Sequence, residues 1–314
     1  MKKELRSNYQ DDILISNYNF LVVGTVRNSE KKVTEDVLRL QHVLEKSKEL
    51  HWLIIESDSE DLTIIELEKL KKKINNFRFM SLGDLRDKIP DRNERLAYCR
   101  NQYVREIQKF NAYKNIDYVI VCDLDGINTL ISKTALASCW DRNDWDMCSA
   151  NQSGPYYDVW ALRHKHWSPN DCWAQYNFFD SLKINNEKNL SNSVYSRMIK
   201  LPFSNEWIEV DSAFGGLAIY KKKIFDVSEY CGVDEIGNKI SEHVPFNLTL
   251  KRKGAKLFIN PRLINAEYTE HTSHLFLSKF IIRKFRSLLK LILLTFISKE
   301  KILTLLKNIK HRTK

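Results

Sequence analysis

Asp117-Tyr-Val-Ile-Val-Cys-Asp-Leu-Asp-Gly126 lies in the middle of the 314-residue chain. Tyr118 to Cys122 is an apolar run rich in β-branched and aromatic residues, the mark of a strand buried on both faces. Asp123 and Asp125 stand where that strand must end, and Gly126 lets the chain turn away. Side chains two residues apart at a strand end point the same way. Two carboxylates aimed at one place repel unless a cation lies between them, so a hard divalent metal is the natural occupant. A strand followed by a plain acidic turn is the alternative; the setting after a buried mid-chain strand favours the metal.

Working outward, the N-terminal half alternates strands and helices. Asn19 to Thr25 reads as a buried strand, Val33 to Leu50 has a helical apolar period, and Trp52 to Ile55 reads as a second strand. Leu62 to Ile74 is helical again and Phe77 to Leu82 is a third strand. This alternation predicts an α/β fold with a mixed, mostly parallel sheet flanked by helices. Ligands of such sheets lie beyond the carboxyl ends of the strands. Polar residues cluster there: Thr25 and Arg27, then Glu56 and Asp58, then Asp123 and Asp125. Asn93 to Tyr113 is the clearest helix, with Leu96, Tyr103, Ile107 and Phe110 as its expected buried stripe. Arg92, Arg95, Arg100 and Asn101 lie near its start. They read as a solvated face or as groups that reach nucleotide phosphates, which guanidinium binds bidentately.

Beyond the acidic pair, Ser132 to Trp140 predicts a short helix and Trp145 to Ala150 a strand. An aromatic stretch follows, with Tyr156, Tyr157 and Trp160 offering flat apolar faces and Asp158 among them. Residues 164 to 192 have poor periodicity and read as a functional loop or lid. Gly215-Gly216 before an apolar strand suggests close backbone approach to a ligand, or a bulge. Ser241 is a candidate N-cap for a helix opening at Glu242-His243 and ended by Gly254. Lys256 to Ile259 reads as a further strand.

Composition supplies the remaining bounds. The 43% hydrophobic content suffices for one large α/β domain or for a domain with an appendage. Six scattered cysteines without a Cys-x-x-Cys pair predict reduced, buried thiols and a cytosolic protein rather than a zinc site. Met1 to Asp12 is charged and lacks the apolar core of a secretory signal. The net charge of +10 belongs to one place: residues 279–314 carry eleven Lys and Arg against Glu300 alone. The other residues balance at 39 basic and 39 acidic, so a nucleic-acid partner is not expected. In the tail, Lys279, Arg283, Arg286 and Lys290 recur opposite Ile281, Phe285, Leu288, Ile292 and Phe296. Such a basic amphipathic helix lies on anionic lipid, or packs as an interface helix. The expected parts are an extension over 1–17, one domain over 18–274, and membrane-associating helices over 275–314. The expected location is the cytoplasmic face of the membrane.

Together these residues resemble the GT-A fold of nucleotide-sugar glycosyltransferases, over roughly residues 18 to 274. The Arg95-Leu-Ala-Tyr-Cys-Arg-Asn101 segment, Tyr157 to Arg163 and Phe214-Gly215-Gly216 resemble segments of fungal capsule and mannan mannosyltransferases, the capsular α-1,3-mannosyltransferase group in particular. The resemblance implies that Asp123 and Asp125 hold Mn²⁺ or Mg²⁺ against the donor diphosphate, with His271, or else His274, as third ligand. It implies a GDP- or UDP-sugar donor bound near Thr25, Arg27, Glu56, Asp58, Arg95, Arg100 and Asn101. Tyr157, Asp158, Trp160, Gly215 and Gly216 would meet the substrate, with the sugar ring against the flat faces of Tyr156, Tyr157 and Trp160, and a glycan or lipid-linked acceptor would receive the sugar. Glu242-His243 stands where many such enzymes carry a Glu-Asp pair, so either is a candidate base. Val121 to Gly126 also matches the nucleophile motif of haloacid dehalogenase-type phosphatases. Against that reading, two or three βα units precede Asp123, and no late Asp-Asp pair is present. A non-catalytic membrane-associated scaffold is the third alternative.

Overall fold

The computed structural model describes residues 8–272, and within these eight strands form one sheet. They are β1 (Asn19–Val26), β2 (Glu49–Glu56), β3 (Phe77–Ser81), β4 (Tyr118–Cys122), β5 (Met147–Gln152), β6 (Ile208–Glu209), β7 (Leu217–Lys221) and β8 (Leu257–Ala266). Their spatial order is β3-β2-β1-β4-β7-β5-β8-β6. Strands β3, β2, β1 and β4 run parallel, β7 is antiparallel to both β4 and β5, β8 is parallel to β5, and β6 is antiparallel to β8. The expected mixed, mostly parallel sheet is what the chain forms.

The two faces of the sheet explain why β1 and β4 are apolar throughout. Leu21, Val23, Val119 and Val121 join one core, while Phe20, Val22, Ile120 and Cys122 join the other. Burying each such side chain contributes about 1.5–3 kcal/mol. An unpaired charge inside the run would cost more than that, so the acids belong at its end. Helices α2 (Val33–Val43), α3 (Thr63–Lys73) and the short α5 (Lys133–Ala137) cover one face; α4 (Arg92–Lys109) and α8 (His243–Arg252) cover the other.

Several boundaries differ from the sequence reading. The helix expected to reach Leu50 stops at Val43, because Leu50 already pairs with Phe20 in β2. An isolated leucine satisfies a helical and a strand period equally well. The buried stripe of α4 runs through Ala97, Cys99, Arg100, Tyr103, Val104 and Ile107. Leu96 lies at the rim of a cavity, and Phe110 is 39% exposed under the Arg78 guanidinium. Residues 164–192, expected as structureless, hold α6 (Cys172–Ser181) and α7 (Asn186–Ser193). Their starts are capped by the side chains of Asp171 and Asn185, each accepting two backbone N–H bonds. Residues 8–17 are not an appendage. Helix α1 (Asn8–Ile15) buries Ile15 completely, and its Asp11 accepts from the Thr134 hydroxyl at 2.8 Å. All six thiols are free, five buried as expected, whereas Cys231 is exposed.

The chain divides into two compact units, Met1–Glu267 and Tyr268–Lys314. Of the second, the described residues form a turn in which Thr272 donates its N–H to the Thr269 carbonyl at 3.0 Å. The expected membrane helices over 275–314, and His274, lie outside the described residues. Within those residues no helix is long and apolar enough to cross a membrane.

Candidate active site

The carboxyl ends of β1, β2 and β4 open onto one cavity of about 310 Å³. This follows from the parallel register, which carries Thr25, Ser57 and Asp123 to the same edge of the sheet. Helix α4 supplies Arg92, Arg95 and Arg100; the 157–160 loop, Phe214 and the start of α8 complete the wall.

At its floor is a buried cation held by two acids. The Arg100 side chain is only 3% exposed, with Nε 2.8 Å from Glu242 Oε1 and Nη2 3.3 Å from Asp123 Oδ1. Nη1 faces the Tyr103 hydroxyl at 3.4 Å, and the guanidinium lies over the Phe214 ring at 5.4 Å. Arg100 is therefore committed within the protein rather than left for a phosphate. A guanidinium without such partners would be very costly to bury.

Asp123 keeps 30% of its side chain accessible from the cavity, yet its surroundings strip enough water to raise its pKa to about 7. Arg100 opposes that shift; Asp125, Asp158 and Glu242 add to it by repulsion. Asp125 is exposed on the turn at Gly126, whose φ is +93°. Immediately around Asp123, the acids Asp125, Asp158 and Glu242 face one committed arginine, a local excess of negative charge that a divalent cation would satisfy. No group of three or more His, Cys, Asp or Glu among the described residues is arranged to hold an ion by itself. Asp123 and Asp125 fit an ion of the Mg²⁺ type, which is commonly held by one or two carboxylates with substrate phosphates and water. His271 belongs to the second unit, where its side chain is 60% exposed and its Nε2 is 3.8 Å from Glu270.

Other expected residues fall into two groups. Thr25, Arg27, Asp58, Arg95, Tyr157, Asp158, Trp160, Glu242 and His243 all line the cavity. Asn101 and Glu56 serve the scaffold instead. The Asn101 side chain exchanges two bonds with the Tyr230 backbone, at 2.9 and 2.8 Å. Glu56 accepts from the Ser59 N–H at 3.0 Å and from the Ser81 hydroxyl, closing the loop after β2. Arg95 is partly spent, donating to the Ile89 and Pro90 carbonyls and lying 3.6 Å from Asp58. Arg27 and Arg92 are exposed at the rim and form no ion pair among the described residues.

The glycine pair is closely packed by the protein itself. A Cβ on Gly215 would come within 2.8 Å of the Ala150 carbonyl oxygen, and one on Gly216 within 2.8 Å of the Tyr157 hydroxyl. Asp158 pins this turn by accepting the Gly215 N–H at 2.8 Å. Tyr156, expected against a sugar, is fully buried edge-on to Trp167.

Nor does His243 fit the role of a base near pH 7. Its ring stacks on Phe214 at 3.9 Å, is 3% exposed, and has no hydrogen-bond partner at either nitrogen. Burial, with Arg100 nearby, holds its pKa well below 6.5, so the imidazole is neutral and a poor proton acceptor. The helix starts one residue later than expected, with Glu242 rather than Ser241 at the cap position and no side-chain cap bond. Glu242 turns its carboxylate to Arg100 instead.

A chain of buried amides lies behind the acidic turn, and sequence reasoning missed it. Gln152 donates to Asn265 at 3.0 Å, Asn265 to Asn128 at 2.9 Å, and Asn128 to the Asp123 carbonyl at 2.7 Å. Also missed was Asp36, buried on α2 with Val33, Val37 and Leu40. An acid on the apolar stripe of a helix was the available signal.

The raised pKa of Asp123 makes a pH prediction. A carboxyl that holds its proton more tightly when folded costs stability once ionised. That cost grows as pH rises from about 4 and is complete above about 7. Metal-free Asp123→Asn protein is expected to melt above the parent at pH 8, with the gain shrinking toward pH 4. A protein that melts lower at pH 8 would show that the Arg100 contact outweighs desolvation. A divalent cation held by Asp123 would have to displace that proton, so its affinity for the parent would fall as pH drops below about 7.

No family model matches the chain, and no curated protein matches it. Solved structures align with much of the chain at low identity. A mannosyltransferase from Pyrobaculum calidifontis, solved with GDP-Man and Mn²⁺, aligns with 82% of this chain and 62% of its own, at 12% identity and a TM-score of 0.46. The glucosyl-3-phosphoglycerate synthase of Mycobacterium tuberculosis, solved with UDP, aligns with 85% and 76% at 12% identity and a TM-score of 0.41. TarS 1–349 from S. aureus, solved with UDP-GlcNAc, aligns with 81% and 60% at 15% identity and a TM-score of 0.44. The chain thus spans less than two thirds of the first and last of these. Likeness at this level assigns no activity.

Proposed function

We propose that the chain is a metal-dependent glycosyltransferase that moves a sugar from a nucleoside diphosphate to a hydroxyl acceptor. The observation that carries this reading is the Asp123–Asp125 pair at the end of β4, facing a cavity rimmed by Arg27 and Arg92. In this reading Asp123 and Asp125 hold Mn²⁺ or Mg²⁺, which when bound neutralises charge on the departing diphosphate. Arg27 and Arg92 have guanidinium groups free to grip phosphate oxygens. Tyr157 and Trp160 give the sugar aromatic faces, and Asp158 holds the loop that carries them.

Glu242, rather than His243, takes the acceptor hydroxyl's proton if the reaction inverts configuration; in a retaining reaction it orients that hydroxyl. Glu242→Gln is expected to cut turnover by about 10² while nucleotide affinity changes little. Loss of nucleotide binding instead would place Glu242 in the donor site.

The mannose donor and the capsular type of acceptor rest on the motif resemblance. Incubation with GDP- and UDP-sugars, with and without Mn²⁺, and assay of released nucleotide tests the reading. Metal-dependent release from one donor supports it; no release from any donor, with an acceptor hydroxyl supplied, sinks it.

The basic tail over 275–314 suits a lipid-linked acceptor by holding the enzyme on an anionic leaflet, each Lys or Arg near the surface adding about 1 kcal/mol. Removing residues 275–314 should then release the protein from anionic liposomes at low salt. Equal sedimentation of both forms would end the membrane proposal.

A further inference from the structure

Asp36 has no part in the cavity wall, yet it reaches the turn that carries Asp125. Its side chain is only 1% exposed, an unusual place for a carboxylate without a full complement of partners. Oδ2 accepts the Gly126 N–H at 2.6 Å, and Oδ1 receives Arg39 Nη1 at 3.2 Å. That N–H belongs to the peptide plane between Asp125 and Gly126. Holding the plane sets ψ of Asp125 and hence the direction of its side chain relative to β4. A charged acceptor makes such a bond shorter and roughly twice as strong as a neutral one.

The same end of α2 constrains the turn a second time. Gly126 has φ +93°, and a Cβ there would meet the Lys32 Cδ at 2.7 Å. Lys32 is the residue that precedes α2. The turn is thus gripped from one side by α2 and from the other by Asn128, whose amide donates to the Asp123 carbonyl.

We propose that Asp36 is a positioning residue for the carboxylate pair. By anchoring the Asp125–Gly126 peptide from within the core, it presets Asp125 to share a divalent cation with Asp123. The inference rests on the reading of Asp123 and Asp125 as metal carboxylates. Residues that orient a metal ligand from behind cost about 10- to 100-fold in metal affinity when removed. Asp36→Asn keeps an oxygen of the same reach for the Gly126 N–H, while it loses the charge and the second acceptor that faces Arg39, so it should restore most of the Mn²⁺ affinity that Asp36→Ala loses.

The test is Mn²⁺ titration of the full chain, reading the electron paramagnetic resonance of the free ion, once with GDP and once with UDP present. Thermal unfolding without metal is recorded in parallel. Asp36→Ala is expected to weaken Mn²⁺ binding by about tenfold or more, with Asp36→Asn close to the parent. Asp36→Ser, whose hydroxyl stops short of Gly126, makes the same cut if the alanine variant does not fold. An unchanged Mn²⁺ affinity in the Ala or Ser variant overturns the proposal, whatever the fall in melting temperature, because the role is then structural. Asp125→Ala separates the two claims. If it binds Mn²⁺ like the parent, the metal reading itself fails.

Discussion

Asp125→Ala is expected to lower metal-dependent sugar transfer by about 10² to 10³ while leaving the fold and melting temperature near those of the parent. The size follows from the cost of losing one preorganised group that stabilises charge in the transition state. Fold survives because Asp125 is exposed at a strand end, so its removal opens no cavity and breaks no buried pair. Donor turnover with Mn²⁺ in excess checks this, alongside circular dichroism. Full activity in the variant would remove the basis of the proposed function. Partial recovery at millimolar Mn²⁺ would instead mark a site weakened in affinity but intact in chemistry.

Arg100→Met is expected to give the largest loss of stability. Arg100 is 3% exposed and bridges Glu242, itself 7% exposed, to Asp123. Methionine fills much of the stem's volume but leaves two carboxylates facing each other without a cation. Breaking a buried pair from one side costs about 3–5 kcal/mol. The loss should be greatest at pH 8 and smaller at pH 5, where Asp123 holds its proton in the folded state. Urea denaturation at both pH values measures it. A loss of the same size at both would mean the site stays ionised without its arginine, and the charge account would fall. Arg100→Lys should recover only part, since an ammonium cannot face both acids with one fixed fork.

Much of the frame is legible in the order of residues along the chain. Tyr118 to Cys122 is apolar at every position because β4 packs against helices on both faces, and the run length alone marks a short buried strand. Alternation with the α2 and α3 periods implies the parallel half of the sheet, and with it the edge where Thr25, Asp58 and Asp123 gather. The antiparallel insertion of β7 between β4 and β5 is not legible, since strand order depends on which partner a strand meets across distant loops. Helices α6 and α7 escape a periodicity reading because the aromatic residues of α6 lack a clean stripe and α7 has Leu190 as its one apolar residue, although Asp171 and Asn185 mark both starts.

What the sequence determined by itself is what neighbours along the chain decide: strand and helix type, the acids at the end of β4, and the charge segregated in the tail. Tertiary structure alone decided who meets whom. Arg100 finds Glu242 across 142 residues, Asp36 finds Gly126 across 90, and Asn265 finds Asn128 across 137. The sequence read Arg100 as part of a solvated face or as a cation that reaches phosphate; only folding spends it on two acids. It left Glu242 and His243 as alternative bases; only stacking on Phe214 strips the water that a protonated imidazole at His243 needs. Residue type is a local property, but the solvation and charge that set a side chain's chemistry come from whatever the fold packs around it.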